Sequence, residues 1–164
     1  MPDVPIFHDS WQSSAAWRVR AALELKGIDH DVRMHEIIGK PHRTPDFMAL
    51  NPQGTVPVLE IDGHVIPQSL AILEYLEETR PVPRLLPKDP AARARVRILA
   101  NIIALETHVV TNMDVAKDAC GGGDVTDWMH RYLKRGFDAF EAQLDHPATG
   151  DFCHGETPGL ADCC

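Results

Sequence analysis

The chain has 164 residues, of which 44% are hydrophobic and 24% charged, and its formal net charge is −8. These values predict an ordinary globular protein and argue against nucleic acid or an anionic membrane surface as a partner. No apolar run approaches the roughly 20 residues that a membrane helix needs. No signal peptide is apparent, and the Cys and His residues lack zinc spacing. We therefore expect a cytoplasmic protein with reduced cysteines and no metal.

The first half of the chain predicts alternating strands and helices. Ser13 or Ser14 caps the first helix, in which the apolar residues Trp17, Ala21 and Leu25 fall four apart. Asp62-Gly63 is a strong turn pair between two strands. Seven elements are predicted in the order β-α-β-α-β-β-α: residues 4–9, 15–26, 29–37, 45–51, 55–62, 64–68 and 69–80. The sequence therefore predicts an α/β domain over residues 1–80.

The second half predicts helices only. The proline-rich residues 81–90 indicate a linker, and residues 91–119 have the pattern of one long helix. Glycines 121–123 end that helix, and a second long helix is predicted for residues 125–144. The last ten residues, GETPGLADCC, look like the start of a third helix. We therefore expect an all-helical domain over residues 91–164 that is incomplete at its C-terminus, as in a fragment of a longer chain.

Three short segments suit a ligand that is part anion, part peptide and part thiol. Ser13-Ser14 places hydroxyls at a helix start, where open N–H groups favour an anion and a hydroxyl can donate to a thiolate. A cis bond in Val56-Pro57 would hold the backbone of Val56 outward to pair with a peptide. In Gln68-Ser69, Ser69 is expected to cap a helix and to suit a carboxylate. Either serine of the first pair fits the thiolate role. Taken alone, each segment is better explained as a helix cap or an edge-strand proline, and the functional reading depends on the three together.

Several stretches, in order and at matching spacing, resemble the zeta class of glutathione transferases, which includes maleylacetoacetate and maleylpyruvate isomerases. They are SSAAWRVRAALELKGID, ALNPQGTVPVLEIDG, PQSLAILEYLEETRP and the His108–Asn112 segment. The resemblance implies a thioredoxin-like first domain with a mixed sheet, an all-α second domain, glutathione as cofactor and a homodimer. It also implies that Ser13 or Ser14 is catalytic, and that Val56, Pro57, Gln68 and Ser69 bind glutathione. Lys40 and His42 are expected near the glycine carboxylate of the tripeptide.

The resemblance further implies a cis–trans isomerase of maleyl compounds, active in aromatic amino acid catabolism. A glutathione thiolate would add to the cis double bond and leave after rotation. Gln12, His108 and Asn112 are the expected substrate-binding residues. Family members commonly carry Arg at the two positions that are Gln12 and Asp114 in this chain. The absence of these arginines favours an alternative, a zeta-like transferase acting on another small electrophile such as an α-halo acid. A third hypothesis is a non-catalytic module that binds glutathione.

Overall fold

The computed structural model describes residues 4–164. They form two compact units, one ending at Leu85 together with Cys163, and one spanning Leu86–Asp162 together with Cys164. Leu85 and Leu86 are both buried, so the proline-rich stretch contributes to packing as well as connecting elements. The predicted limits of 1–80, 81–90 and 91–164 remain predictions.

The first unit has the predicted order of elements, and its thioredoxin-like architecture is confirmed. The elements are β1 (Ile6–Asp9), α1 (Ser14–Leu25), β2 (Asp31–Met34), α2 (Pro45–Leu50), β3 (Val58–Ile61), β4 (His64–Pro67) and α3 (Ser69–Thr79). The sheet order is β2-β1-β3-β4, with β2 parallel to β1 and the other neighbours antiparallel. Asp62 and Gly63 both have positive φ, 54° and 77°, as a two-residue hairpin turn that follows the sheet twist requires.

Helix α1 buries a face other than the one that carries Trp17 and Leu25. Trp17 and Leu25 are exposed, whereas Val19 and Leu23 are fully buried. The four-residue spacing of the bulky apolar residues therefore does not mark the buried face of this helix. The core instead uses small and medium residues, together with Leu73 and Leu76 of α3.

A buried ion pair fastens α1 to the end of α3. The Lys26 Nζ donates to Glu77 Oε2 at 3.2 Å and to the carbonyl oxygens of Arg80 and Pro83 at 2.7 and 2.8 Å. The same Glu77 oxygen accepts the backbone N–H of Leu85 at 2.8 Å. Because each charge has several partners, the desolvation of this pair is offset by charge-assisted hydrogen bonds.

The second unit is helical, but the long first helix is interrupted. It comprises α4 (Pro90–Asn101), a π-helical segment (Ile102–Thr107), α5 (His108–Val110), α6 (Met113–Ala119) and α7 (Thr126–Leu144). The single helix predicted for residues 91–119 was wrong. The hydroxyl of Thr111 donates back to the carbonyl of Thr107 at 2.8 Å, and Asn112, with ψ 132°, caps α6 instead of continuing α5.

The expected third helix forms only a turn around Leu160–Cys163 within the described residues. The Gly159 N–H donates to Asp162 Oδ2 at 2.8 Å, as the acidic partner of a capping box does. None of the helices between residues 4 and 164 is long and apolar enough to cross a membrane.

Candidate glutathione site

The strand register gathers the candidate segments along one edge of the sheet. Asp9, at the end of β1, is paired with Met34 at the end of β2. His8 is paired with Val58 at the start of β3, and Val58 with Pro67 at the end of β4. The turn before α1, the loop after β2, the segment before β3 and the start of α3 therefore leave the sheet at the same edge.

The serine pair occupies the turn from β1 into α1. Ser13 is the N-cap, with φ −96° and ψ 111°, and its Oγ accepts the Ala16 N–H at 3.2 Å. Its hydroxyl hydrogen is not used in that bond and can be donated to another group. Ser14 is the first helical residue and is exposed. The structure thus gives Ser13 a capping role and leaves both hydroxyls at the positive end of the helix dipole.

The segment before β3 carries backbone groups suited to pairing with an extended peptide. The Val56–Pro57 bond is cis, as expected. The Val56 side chain is buried with Phe47 and Val58, which fixes the segment to the core. Among the described residues, the backbone N–H and C=O of Val56 form no hydrogen bond. These groups are open to an added strand.

The start of α3 differs from the expectation in one respect. Gln68, not Ser69, is the N-cap, and it has φ 74° without a side-chain capping bond. Its Nε2 donates instead to Gln53 Oε1 at 2.6 Å. Ser69 is the first helical residue, is 6% exposed, and accepts a hydrogen bond from Arg18 Nη1 at 3.3 Å. The prediction that Ser69 caps the helix was wrong because Gln68 takes a left-handed conformation that begins the helix one residue earlier. Such conformations in non-glycine residues concentrate at functional sites.

The contact of Arg18 with Ser69 was not predicted from the sequence. Arg18 is 2% exposed, although it belongs to the α1 segment that carries the serine pair. Because Arg18 donates to the Ser69 oxygen, the Ser69 hydroxyl hydrogen is directed elsewhere. Arg20 pairs with the Asp9 carboxylate and lies over the Trp17 ring at 4.3 Å. Nothing in the local pattern separates the two arginines.

The loop after β2 holds His42 by both ring nitrogens. Its Nδ1 lies 3.1 Å from the carbonyl oxygen of Glu36, and its Nε2 lies 3.0 Å from that of Gly54. Carbonyl oxygens only accept, so both bonds exist together only when both nitrogens carry hydrogen. A ligand carboxylate reaching His42 would replace one of these bonds. Lys40 is exposed nearby in sequence and has φ 63°.

A histidine pair behind this loop was also missed from sequence. His8 Nε2 lies 2.9 Å from Glu60 Oε1, and His8 Nδ1 lies 2.9 Å from His35 Nε2. Phe47 packs against both rings. The pKa of His35 is lowered from its ordinary value of 6.5, first by burial and then by the charges of His8 and His42. The neutral form of His35 is therefore favoured in the folded protein.

The candidate substrate residues fall in both units. Gln12 lies beside the serine pair, and its Oε1, like the Oγ of Ser10, is sheltered without a hydrogen-bond partner among the described residues. His108 begins α5, directly after the π-helical segment, and Asn112 caps α6 by accepting the Asp114 N–H at 3.0 Å. The capping bond leaves the amide hydrogens of Asn112 able to donate.

Comparison with known proteins identifies the family. The family model described as "Glutathione S-transferase, N-terminal domain" matches residues 12–79. The chain is 47% identical to the maleylacetoacetate isomerase of Rhizobium meliloti (strain 1021), over 100% of this chain and 79% of the relative.

Two solved structures are similar along both units. One is the holo structure of a maleyl pyruvate isomerase, a bacterial zeta-class glutathione transferase. It is 38% identical with a TM-score of 0.91, over 96% of this chain and 77% of that one. The other is a maleylacetoacetate isomerase from Anaeromyxobacter dehalogenans 2CP-1 with glutathione in its active site. It is 38% identical with a TM-score of 0.87, over 99% and 78% of the two chains. The chain belongs to the zeta class of the glutathione transferase superfamily.

Proposed function

We propose that the protein is a glutathione-dependent cis–trans isomerase of maleyl compounds. The observation that carries the proposal is the sheet edge, where the serine pair, the open backbone of Val56 and the start of α3 come together. The names of the relatives, maleylacetoacetate and maleylpyruvate isomerases, supply the substrate class. The enzyme assignment follows from the same relatives.

Glutathione fits the groups that this edge offers. The N–H groups at the start of α3 and the Ser69 hydroxyl suit the γ-glutamyl carboxylate. The backbone of Val56 suits the cysteinyl segment, which would pair with it as a short added strand. Lys40 and His42 suit the glycine carboxylate. Pro57 would fix the Val56 backbone, and Gln68 would bind the γ-glutamyl end of the tripeptide from the side.

The catalytic role proposed for the serine pair is to hold the thiol in its ionised form. Bound glutathione supplies a thiolate that adds to the cis double bond, allows rotation about it, and leaves unchanged when the trans bond re-forms. A Ser13 or Ser14 hydroxyl donates to the sulfur, and the N-terminus of α1 favours the negative charge. Gln12, His108 and Asn112 are proposed to bind the carboxylate and carbonyl oxygens of the substrate as hydrogen-bond donors.

The serine roles are separated by variants that respect the helix cap. Ser13→Gly removes the hydroxyl but keeps a capping residue at a cost of a few tenths of a kcal/mol, and Ser13→Thr keeps both. Ser14→Ala removes the other hydroxyl. A hydrogen bond to a charged group is worth about 1.5–3 kcal/mol, so the functional serine should cost about 10- to 100-fold in kcat/KM when removed.

Isomerisation of maleylacetone is measured with and without glutathione, together with the pKa of the bound thiol from its ultraviolet absorbance. The proposal expects glutathione-dependent turnover and a bound-thiol pKa below that of free glutathione. A Ser13→Gly/Ser14→Ala double variant that isomerises as fast as the wild type would reject the serine role. Absence of glutathione-dependent isomerisation by the wild type would reject the function.

A second candidate function is transfer of glutathione to another small electrophile. The Asp114 carboxylate is exposed in the first turn of α6, next to Asn112, and would repel a maleyl dianion. Isomerisation regenerates glutathione, whereas substitution on an α-halo acid consumes it. Loss of free thiol with chloroacetate, without isomerisation of maleylacetone, would therefore favour the transferase.

We also propose that the protein is a homodimer located in the cytoplasm. Ile98, Leu105 and Val109 follow one another along α4, the π-helical segment and α5 at intervals of seven and four residues, and each is about half exposed. A second copy could cover these apolar side chains. Light scattering of the purified protein should give twice the chain mass, and Leu105→Glu should reduce it to one chain.

A further inference from the structure

The π-helical segment determines the direction in which His108 leaves its helix. It spans Ile102–Thr107 and ends directly before His108. A single π turn amounts to one extra residue inserted into an α-helix. Each α-helical residue turns the chain by about 100°, so the residues after the insertion are rotated by roughly that angle relative to an uninterrupted helix. The rotation of His108 therefore depends on whether the π turn persists.

Thr107 supports the π spacing with its own side chain. Its Oγ1 donates to the Ile102 carbonyl oxygen at 2.7 Å, five residues back. The backbone N–H of His108 donates to Ile103, also five residues back. Threonine in an ordinary helix bonds the carbonyl three or four residues back. The Thr107 hydroxyl is buried, with the residue 4% exposed, so this bond is protected from water.

Gly136 on α7 provides the space that Thr107 occupies. A Cβ at position 136 would overlap the hydroxyl, the methyl group and the Cβ of Thr107. Gly136 is the buried residue of α7, so the α7 backbone lies directly against the end of the π turn. One turn after Thr107, the carbonyl oxygen of Val110 accepts a hydrogen bond from Nε1 of Trp128, another residue of α7, at 2.8 Å. Helix α7 thus holds the chain on both sides of His108.

We infer that Thr107 and Gly136 are positioning residues that orient His108 toward the substrate. The inference rests on the proposed function, in which His108 is a substrate donor. Without the Thr107 hydroxyl, the π turn loses a hydrogen bond that no other described side chain provides. The α-helical arrangement then competes, and His108 spends part of its time rotated away.

The test compares Thr107→Val, which keeps the shape but removes the hydroxyl, with Thr107→Ser, which keeps the hydroxyl. Thr107→Val should raise KM for maleylacetone about five- to tenfold, the population effect of one hydrogen bond, with KM for glutathione unchanged. Thr107→Ser should change neither by more than about twofold. In a His108→Ala background, Thr107→Val should have no further effect. Gly136→Ala should act in the same direction as Thr107→Val, and thermal melting establishes that each variant is folded.

A second readout is independent of turnover. The ring resonances of His108, assigned by comparison with His108→Ala in histidine-labelled protein, should shift in Thr107→Val and stay in place in Thr107→Ser. Unshifted resonances, or an equal kinetic effect in the His108→Ala background, would overturn the inference. Shifted resonances with unaltered kinetics would confirm the orientation by Thr107 and remove His108 from the substrate site. A wild type that does not isomerise maleylacetone would reject the proposed function while the resonances still report on Thr107.

Discussion

Separating the buried charges of Lys26 and Glu77 should produce the largest loss of stability among single substitutions outside the sheet core. The two side chains are 0% and 2% exposed. Lys26→Met leaves the buried Glu77 carboxylate with only the half-exposed Arg84 guanidinium, 3.7 Å from Oε1, as a cation. It also deprives the carbonyls of Arg80 and Pro83 of their donor. Glu77→Gln is milder, because the amide oxygen can still accept the Leu85 N–H.

The magnitude follows from the number of groups left unpaired. Removing one partner of a buried pair costs about 3–5 kcal/mol, out of a total stability of about 5–15 kcal/mol. We expect Lys26→Met at the upper end of that range and Glu77→Gln at the lower end. For a chain of this size, the corresponding fall in Tm is roughly 6–20 °C. The Lys26→Met/Glu77→Gln double variant leaves no buried charge, so it should cost less than the two single changes together, by on the order of 1–3 kcal/mol.

Urea unfolding followed by tryptophan fluorescence and circular dichroism measures these free energies. The matched control is Lys134→Met, which removes an ammonium from an exposed i,i+4 pair with Asp138 at 2.6 Å. That pair should contribute no more than about 0.5 kcal/mol. If Lys26→Met costs no more than Lys134→Met, or if the double variant is fully additive, the buried network does not stabilise the fold as argued.

Three further predictions concern titration. Burial, as the first cause, lowers the pKa of His35, so the folded state binds fewer protons than the unfolded state. The free energy of unfolding should therefore fall as the pH drops below about 6.5. The fall should be smaller in His35→Asn. The hydrogen bond from Arg80 lowers the pKa of Asp62 from 3.8 to about 2. The contribution of the Asp62 carboxylate to the free energy of unfolding, present above pH 3.8, should therefore disappear toward about pH 2. This pH dependence should be absent from Asp62→Asn. Burial raises the pKa of the Cys153 thiol to about 12, which leaves little reactive thiolate at neutral pH. After treatment with iodoacetamide at neutral pH, mass spectrometry should find Cys120 alkylated and Cys153 unmodified. Prompt alkylation of Cys153 would contradict this prediction.

Much of the first unit could be predicted because its signals are local. The Asp62-Gly63 pair determines a hairpin turn by itself, since both residues tolerate positive φ. The cap at Ser13 and the start of α2 at Pro45 are equally local. The buried face of α1 could not be read in this way. Which side of a helix is covered depends on the elements that pack against it, here α3, and the bulky Trp17 is exposed.

The site was predicted where it depends on short segments and missed where it depends on distant partners. Arg18 and Ser69 are 51 residues apart, and His8 and Glu60 are 52 apart. No periodicity connects such pairs. The packing of α1 on α3 brings the first pair together, and the pairing of β1 with β3 brings the second together. The π turn before His108 was missed for another reason, since the same apolar spacing suits an α-helix. The Thr107 side chain that supports it lies against Gly136 of α7, which is distant in sequence.

The proposed site separates the binding of the tripeptide from the choice of electrophile. Val56 would contribute backbone groups, and α1 and α3 would contribute the N–H groups of their first turns. These groups are independent of side-chain identity, so side-chain substitutions in these segments leave them in place. Gln12 and Asp114, in contrast, would act through their side chains alone. Changes at these two positions should therefore alter which electrophile reacts while the affinity for glutathione stays the same, and measuring both for Gln12→Arg would test that separation.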